Sequence, residues 1–300
     1  MKSGTEINSL HSCETAWTRV LTYGRMIKFS HTVFALPFAL CAVVLAQRTH
    51  PLTLWQMLWL LGAMVGARSA AMGFNRIADA HLDAKNPRTA AREIPSGRLT
   101  RHAAMGFVML SSGLFILSAA MLGPLCFYLS VPILLLMFLY SYAKRFTFLC
   151  HLYLGAVIAL APLGAWIALT GAFSPAITLL SVALMAYIAG FDILYACQDV
   201  DFDRQTGLHS IPARFNVPSA LAIAGCLHVV SFVFFLFVYF AFDMGGVYLG
   251  AVGIIGGLMI AEHRMVKPHD LSRVNIAFFH MNAVISVTLF IGVLLDELIK

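Results

Sequence analysis

Residues 68–97 read RSAAMGFNRIADAHLDAKNPRTAAREIPSG, and they close an apolar run that begins near residue 52. Asn75, Asp79 and Asp83 stand at i, i+4 and i+8, so a helix carried through the stretch puts all three on one face. Arg68 lies seven residues before Asn75 and eleven before Asp79, on that same face. An arginine within an apolar span is costly and normally faces a polar interior, so Arg68 is expected to point into the cavity that the acids line. After Asp83 the helix leaves through Asn86-Pro87, a turn signal, into a loop carrying Arg88, Arg92 and Arg98 and ending Pro95-Ser96-Gly97.

The device recurs. Residues 191–214, FDILYACQDVDFDRQTGLHSIPAR, follow another apolar run and hold Asp192, Tyr195, Asp199 and Asp203 at i, i+3, i+7 and i+11. These four share a face, whereas Asp201 is offset by about 200° from Asp199 and joins them only if the helix breaks near the motif. Of the 14 Asp and Glu residues, Asp79, Asp83, Asp192, Asp199, Asp201 and Asp203 supply six. Carboxylates gathered so closely repel one another unless a cation sits among them. Hard oxygen donors of this kind point to Mg²⁺, which takes a few carboxylates and leaves positions for phosphate oxygens. A lone carboxylate at Asp192, in the apolar context IAGFDILYA, also needs such a partner.

The rest of the chain is membrane-like, with 60% hydrophobic and 11% charged residues. Apolar runs of spanning length lie at 29–46, 52–74, 103–122, 125–142, 148–170, 175–196, 219–242, 245–261 and 276–295. That is nine spans, with the third and fourth divided at Gly123-Pro124. The fold class is therefore an all-α polytopic membrane protein. Residues 1–24 form a polar segment without the apolar core of a removable signal, and residues 25–300 are expected to form a single transmembrane domain.

A net charge of +6 raises nucleic acid as a partner, but the basic residues follow a topology pattern instead. Lys2, Arg19, Arg25 and Lys28 precede the first span, Arg76 to Arg101 follow the second, and Lys144 and Arg145 follow the fourth. Arg204 and Arg214 follow the sixth; Arg264, Lys267 and Arg273 follow the eighth; only Arg48 and Lys300 fall on the other side. The positive-inside rule then places the N-terminus and both acidic motifs in the cytoplasm and the C-terminus outside. The six cysteines show no metal-ligand spacing and read as small apolar residues. His81 and His209, near the acidic motifs, read as surface or capping residues.

Basic loops beside acidic motifs fit a ring of phosphate donors around a metal site. Guanidinium forks suit bidentate phosphate recognition, which singles out Arg88 and Arg92, with Lys144 as a point charge and Arg145 and Lys28 as further candidates. Headgroup anchoring is the plainer reading of Arg25. Phe, Tyr and Met in the intervening spans fit either lipid-facing packing or the lining of a cavity for a long apolar tail.

These residues resemble the UbiA superfamily of intramembrane aromatic prenyltransferases. The resemblance covers nearly the whole chain: nine spans, a first motif of the NDxxDxxxD type at Asn75, Asp79 and Asp83, and a second of the DxxYxxxDxxxD type at Asp192, Tyr195, Asp199 and Asp203. Arg76 departs from the pattern, standing where many members have Asp. The resemblance implies two pseudo-repeated four-helix halves plus one helix around a central cavity in a bacterial cytoplasmic (inner) membrane. It implies transfer of a polyprenyl group from its diphosphate to an aromatic carboxylate, with two Mg²⁺ ions. Asn75, Asp79, Asp83, Asp199 and Asp203 become metal ligands, with Asp201 secondary. Arg68, Arg88, Arg92 and Lys144 bind diphosphate, and Asp192 or Tyr195 positions or deprotonates the acceptor.

The segments IKFSHTVFALPFAL, VGARSAAMGFNR and NPRTAAREIP are more similar to members of the futalosine route to menaquinone than to ubiquinone enzymes. That favours 1,4-dihydroxy-6-naphthoate as acceptor, with 4-hydroxybenzoate as the alternative. A transporter with a midplane acidic site, and a non-catalytic quinone-binding protein, are the rivals from other classes. The transporter explains poorly why the acids gather at the ends of two spans beside arginine loops.

Overall fold

The computed structural model describes residues 16–27 and 35–300, without the side chains of residues 16–20 and Phe278. Lys28 therefore lies outside the described residues, as do most of the residues expected to begin the first span. The described chain is predominantly helical, with no β-strand among the described residues. Its elements are α1 (Ala16–Met26), α2 (Leu36–Ala46), α3 (Leu54–Ala78), α4 (Ala80–Lys85), α5 (Arg101–Leu122), α6 (Pro124–Ala143), α7 (Cys150–Ile158) and α8 (Leu160–Thr170). Then come α9 (Pro175–Ala196), α10 (Val200–Thr206), α11 (Ile211–Phe215), α12 (Val217–Ala241), α13 (Gly246–Met265), α14 (Val274–Ile276) and α15 (Asn282–Ile299). A π-helical turn, Ala277–Met281, joins the last two. Eight helical stretches among the described residues are long and apolar enough to cross a membrane, and α2 is a shorter apolar helix beside them.

Local chemistry sets the boundaries. Thr53 caps α3 in a reciprocal capping box with Gln56, and Thr100 accepts the Ala103 N–H at the start of α5. The third and fourth spans divide at Gly123, whose φ of +143° few side chains tolerate, and Pro124 opens α6. The fifth span is not one helix but two, α7 and α8, meeting at Ala159. Pro162 explains the break, because it has no N–H to give the Ile158 carbonyl and its ring crowds that turn.

In chain order α2, α3, α5 and α6 form a first half, α7–α8, α9, α12 and α13 a second, and α14–α15 follows; in space α3, α5 and α6 pack together while α2 lies against α8 and α15. The motif-bearing helix is second in each half, α3 and then α9. Close approach depends on small residues, as membrane helices require in the absence of a hydrophobic drive between them. A Cβ on Gly66 would lie 2.7 Å from the Phe115 nitrogen and 2.9 Å from the Ser111 oxygen, so α3 presses onto the backbone of α5. Gly155 lets α7 approach the Met185 carbonyl of α9 in the same way.

The end of the bundle away from the motifs is tied by charge. Arg48 pairs with Glu297, and Lys300 lies 3.5 Å from Asp296. Asp296 in turn accepts the Gly245 and Tyr248 N–H groups at 2.6 and 3.0 Å, fastening α15 to the start of α13. Arg48 and Lys300, set apart in sequence as the exceptions to the basic pattern, thus occupy the same end.

Candidate active site

Both motifs end their helices abruptly. Helix α3 stops at Ala78, Asp79 leaves the helical region with φ −93° and ψ 1°, and α4 restarts at Ala80. Helix α9 stops at Ala196, and a 3-10 turn over Cys197–Asp199 leads into α10. These kinks bring Asn75, Asp79, Asp83, Asp192, Tyr195, Asp199 and Asp203 onto the wall of one cavity of about 160 Å³, together with Arg88, Arg92, Lys144 and Arg145.

Four acids of the two motifs each hold a lysine or arginine. Arg92 lies 2.6 Å from Asp83, Lys144 is 3.3 Å from Asp203, and Arg145 is 3.3 Å from Asp79. Arg88 joins the two motifs: its Nε donates to Asp199 at 2.9 Å, a second nitrogen pairs with the same carboxylate, and Nη1 donates to the Tyr195 hydroxyl at 2.9 Å. Asn86 also donates to Asp199, at 3.1 Å, and Asn75 donates to Asp79 at 3.0 Å.

Burial and the neighbouring Asp83 carboxylate hold Asp79 above the usual carboxylate range, against the pull of Arg145. Burial works against the Lys144 ammonium, but Asp203 and then Asp199 and Asp192 overcome it and hold Lys144 above the ordinary lysine range. Asp83 Oδ2 is buried with no hydrogen-bond donor among the described residues. Hard oxygens from both sides of the cavity, one of them orphaned, suit a divalent cation such as Mg²⁺. With the carboxylates drawn onto their cations, however, no group of three His, Cys, Asp or Glu side chains among the described residues converges on one ion.

Two of the candidates stand apart from this cavity. Arg68 does not line this cavity or its neighbour. It shares the face of Asn75 but sits about 10 Å deeper along α3, because seven residues at 1.5 Å each separate them. Asp201 is exposed on α10. The break comes before it, at the 3-10 turn, and α10 then turns Asp201 and Asp203 to different sides.

The structure also adds residues that sequence reading passed over. His151, fully buried at the start of α7, places Nδ1 2.7 Å from Asp192 Oδ2. It carried no spacing signal, since its partner lies 41 positions away. Asn86 carries only a turn signal in the sequence, yet it donates to Asp199. A second cavity of about 370 Å³ shares Arg88, Arg92 and Tyr195 with the first and adds Arg25, Arg76, Glu93, Gln198, Asn275 and Phe279. Arg25, whose plainer sequence reading is a headgroup anchor, thus lines a cavity. Arg76, the departure from the first motif, is buried with its Nε on the Met26 carbonyl of α1 at 3.2 Å.

Comparison with known proteins agrees with this architecture. A 4-hydroxybenzoate octaprenyltransferase from Vibrio campbellii is 28% identical over 255 residues, covering 85% of this chain and 88% of that protein. The apo structure of a UbiA homolog from Aeropyrum pernix K1 is 32% identical, covers 89% of this chain and 98% of that one, and superposes with a TM-score of 0.80. A UbiA homolog from Archaeoglobus fulgidus bound to GPP and Mg2+, 18% identical, shares the fold with a TM-score of 0.65 over 91% of this chain and 99% of that one. The UbiA prenyltransferase family matches residues 35–284, and this chain belongs to it.

Proposed function

We propose that this enzyme transfers a polyprenyl group from its diphosphate to the ring of 4-hydroxybenzoate. The observation that carries the reading is the one cavity in which five carboxylates of the two motifs meet four cations from the adjoining loops. Relatives named as 4-hydroxybenzoate octaprenyltransferases favour the benzoate over the naphthoate expected from local segments. Membership in a family of transferases removes the transporter and the non-catalytic scaffold. Residues 25–300 act as one membrane domain preceded by a polar segment, with the motif end cytoplasmic in a bacterial inner membrane, as the basic loops at that end indicate.

Asn75, Asp79 and Asp83 on one side and Asp199 and Asp203 on the other are the residues to hold Mg²⁺, as two ions. Mg²⁺ held by them would supply positive charge for the departing diphosphate. Arg88, Arg92 and Lys144, with Arg145 beside them, rest on those carboxylates and are the donors that turn to the diphosphate oxygens. Their fixed positive charge stabilises the leaving group as the C1–O bond breaks and its electron pair departs with diphosphate.

Asp192 accepts the acceptor's hydroxyl proton while the ring carbon beside that hydroxyl bonds to the prenyl C1. The resulting dienone loses its ring proton to water, and Asp192 returns the hydroxyl proton, so one proton is released overall. Tyr195, one helical turn from Asp192, stands in the wall between the two cavities and aims its hydroxyl at Arg88. Beyond it Arg25 and Arg76 offer the cationic contact that an aromatic carboxylate needs.

Detergent-purified protein supplied with Mg²⁺, a polyprenyl diphosphate and, in parallel, 4-hydroxybenzoate and 1,4-dihydroxy-6-naphthoate tests the reading by mass spectrometry of the products. Prenylated benzoate is expected. Prenylated naphthoate alone would transfer the enzyme to the menaquinone branch.

A further inference from the structure

Asp192 is the acid of the second motif without a lysine or arginine on it, and what holds it is histidine. His151 Nδ1 lies 2.7 Å from Asp192 Oδ2. The imidazole is fully buried, while the Asp192 side chain keeps a fifth of its exposure at the cavity wall.

The other ring nitrogen is also committed. The Ile211 N–H donates to His151 Nε2 at 3.4 Å. That amide is the first of α11, a position whose N–H has no partner inside its own helix, and Ile211 is buried. A backbone amide only donates, so Nε2 receives and the neutral ring carries its proton on Nδ1, directed at Asp192. This ring does not relay protons, because its free lone pair is taken. What it does is fix one carboxylate oxygen of Asp192.

We propose that His151 is a positioning residue for acceptor activation: locked by Ile211, it donates Nδ1–H to Asp192 and holds that carboxylate in the orientation that takes the acceptor's hydroxyl proton. The inference rests on Asp192 being the acceptor's base. It assigns the loop after the second motif a part in the chemistry, since Ser210 and Ile211 begin α11 and His209 is pinned to the Lys144 carbonyl at 2.7 Å. It also separates two duties in one cavity. The arginines and lysine serve the diphosphate, and His151 serves the acceptor.

The test compares His151→Leu, His151→Asn and His151→Gln in the full-length protein, with steady-state constants for donor and acceptor. An asparagine amide falls near the Nδ1 position and keeps the donor to Asp192, whereas a glutamine amide falls near Nε2 and does not. His151→Leu and His151→Gln are expected to lower kcat about 100-fold with the KM for polyprenyl diphosphate unchanged, and His151→Asn to recover most of that loss. In an Asp192→Asn background His151→Leu should cost nothing further.

Equal losses in the asparagine and leucine variants, or in asparagine and glutamine should leucine fail to fold, would overturn the inference. So would multiplicative losses in the double variant. Full activity in Asp192→Asn would instead sink the base assignment, and wild-type protein that prenylates no benzoate would sink the proposed function, so the three failures are distinguishable.

Discussion

Replacing Lys144 with methionine tests whether Asp203 is a metal ligand. Lys144 Nζ sits 3.3 and 3.5 Å from the two Asp203 oxygens, and Asp203 is 1% exposed. Stranding a fully buried charge costs about 3–5 kcal/mol. The Lys144 side chain is 35% exposed and its contacts are long, so solvent already screens part of the pair; a loss of roughly 2 kcal/mol is the working figure. For a chain of 300 residues that corresponds to about 3 °C in melting temperature. The assay is thermal unfolding in detergent at one fixed scan rate, with EDTA and with Mg²⁺, since irreversible unfolding makes only matched scans comparable. In EDTA the variant should melt about 3 °C below wild type by the same conversion. Mg²⁺ should restore most of that deficit, because a cation on Asp203 replaces the missing ammonium. The double variant Lys144→Met/Asp203→Asn should melt near wild type in EDTA and gain less from Mg²⁺. A folded-state value for Lys144 above the ordinary range means its contribution is complete below the unfolded value and fades only as the pH climbs through the folded one. The deficit should therefore be flat from about pH 6 to pH 9. A Mg²⁺ gain no larger in Lys144→Met than in wild type would refute the assignment of Asp203 as a ligand.

Other perturbations separate the remaining elements. Asp201→Asn should leave kcat within about twofold of wild type, as an exposed substitution away from the cavity, whereas Asp199→Asn should lower it at least about 100-fold. Gly66→Ala drives a Cβ into the α5 backbone and should cost about 1–3 kcal/mol in unfolding, while Gly106→Ala, which meets nothing within 4 Å, should cost none. Arg48→Met removes the tie to Glu297 at the end of the bundle away from the cavity, and should lower the melting temperature with kcat unchanged. Activity loss in Arg48→Met at a temperature where it remains folded would mean that the two ends are coupled.

The sequence by itself determined the membrane class, the span order, the division at Gly123-Pro124 and the two acidic stripes. These follow from short-range properties: apolar length, turn chemistry, and helical spacing within a dozen residues. The same local view could not set the depth of Arg68, because a shared helical face says nothing of position along the axis, and it left Asp201 hanging on where the helix would break. Tertiary structure decided which cation sits on which carboxylate. Arg88 and Asp199 are 111 positions apart, and Lys144 and Asp203 are 59 apart. It also decided that Asp192 is held by His151, a residue with no motif around it, and that Arg76 turns to the Met26 carbonyl rather than joining Asn75 and Asp79. No periodicity encodes such pairings, since they exist only once the two halves of the bundle pack and their helix ends meet over a common cavity.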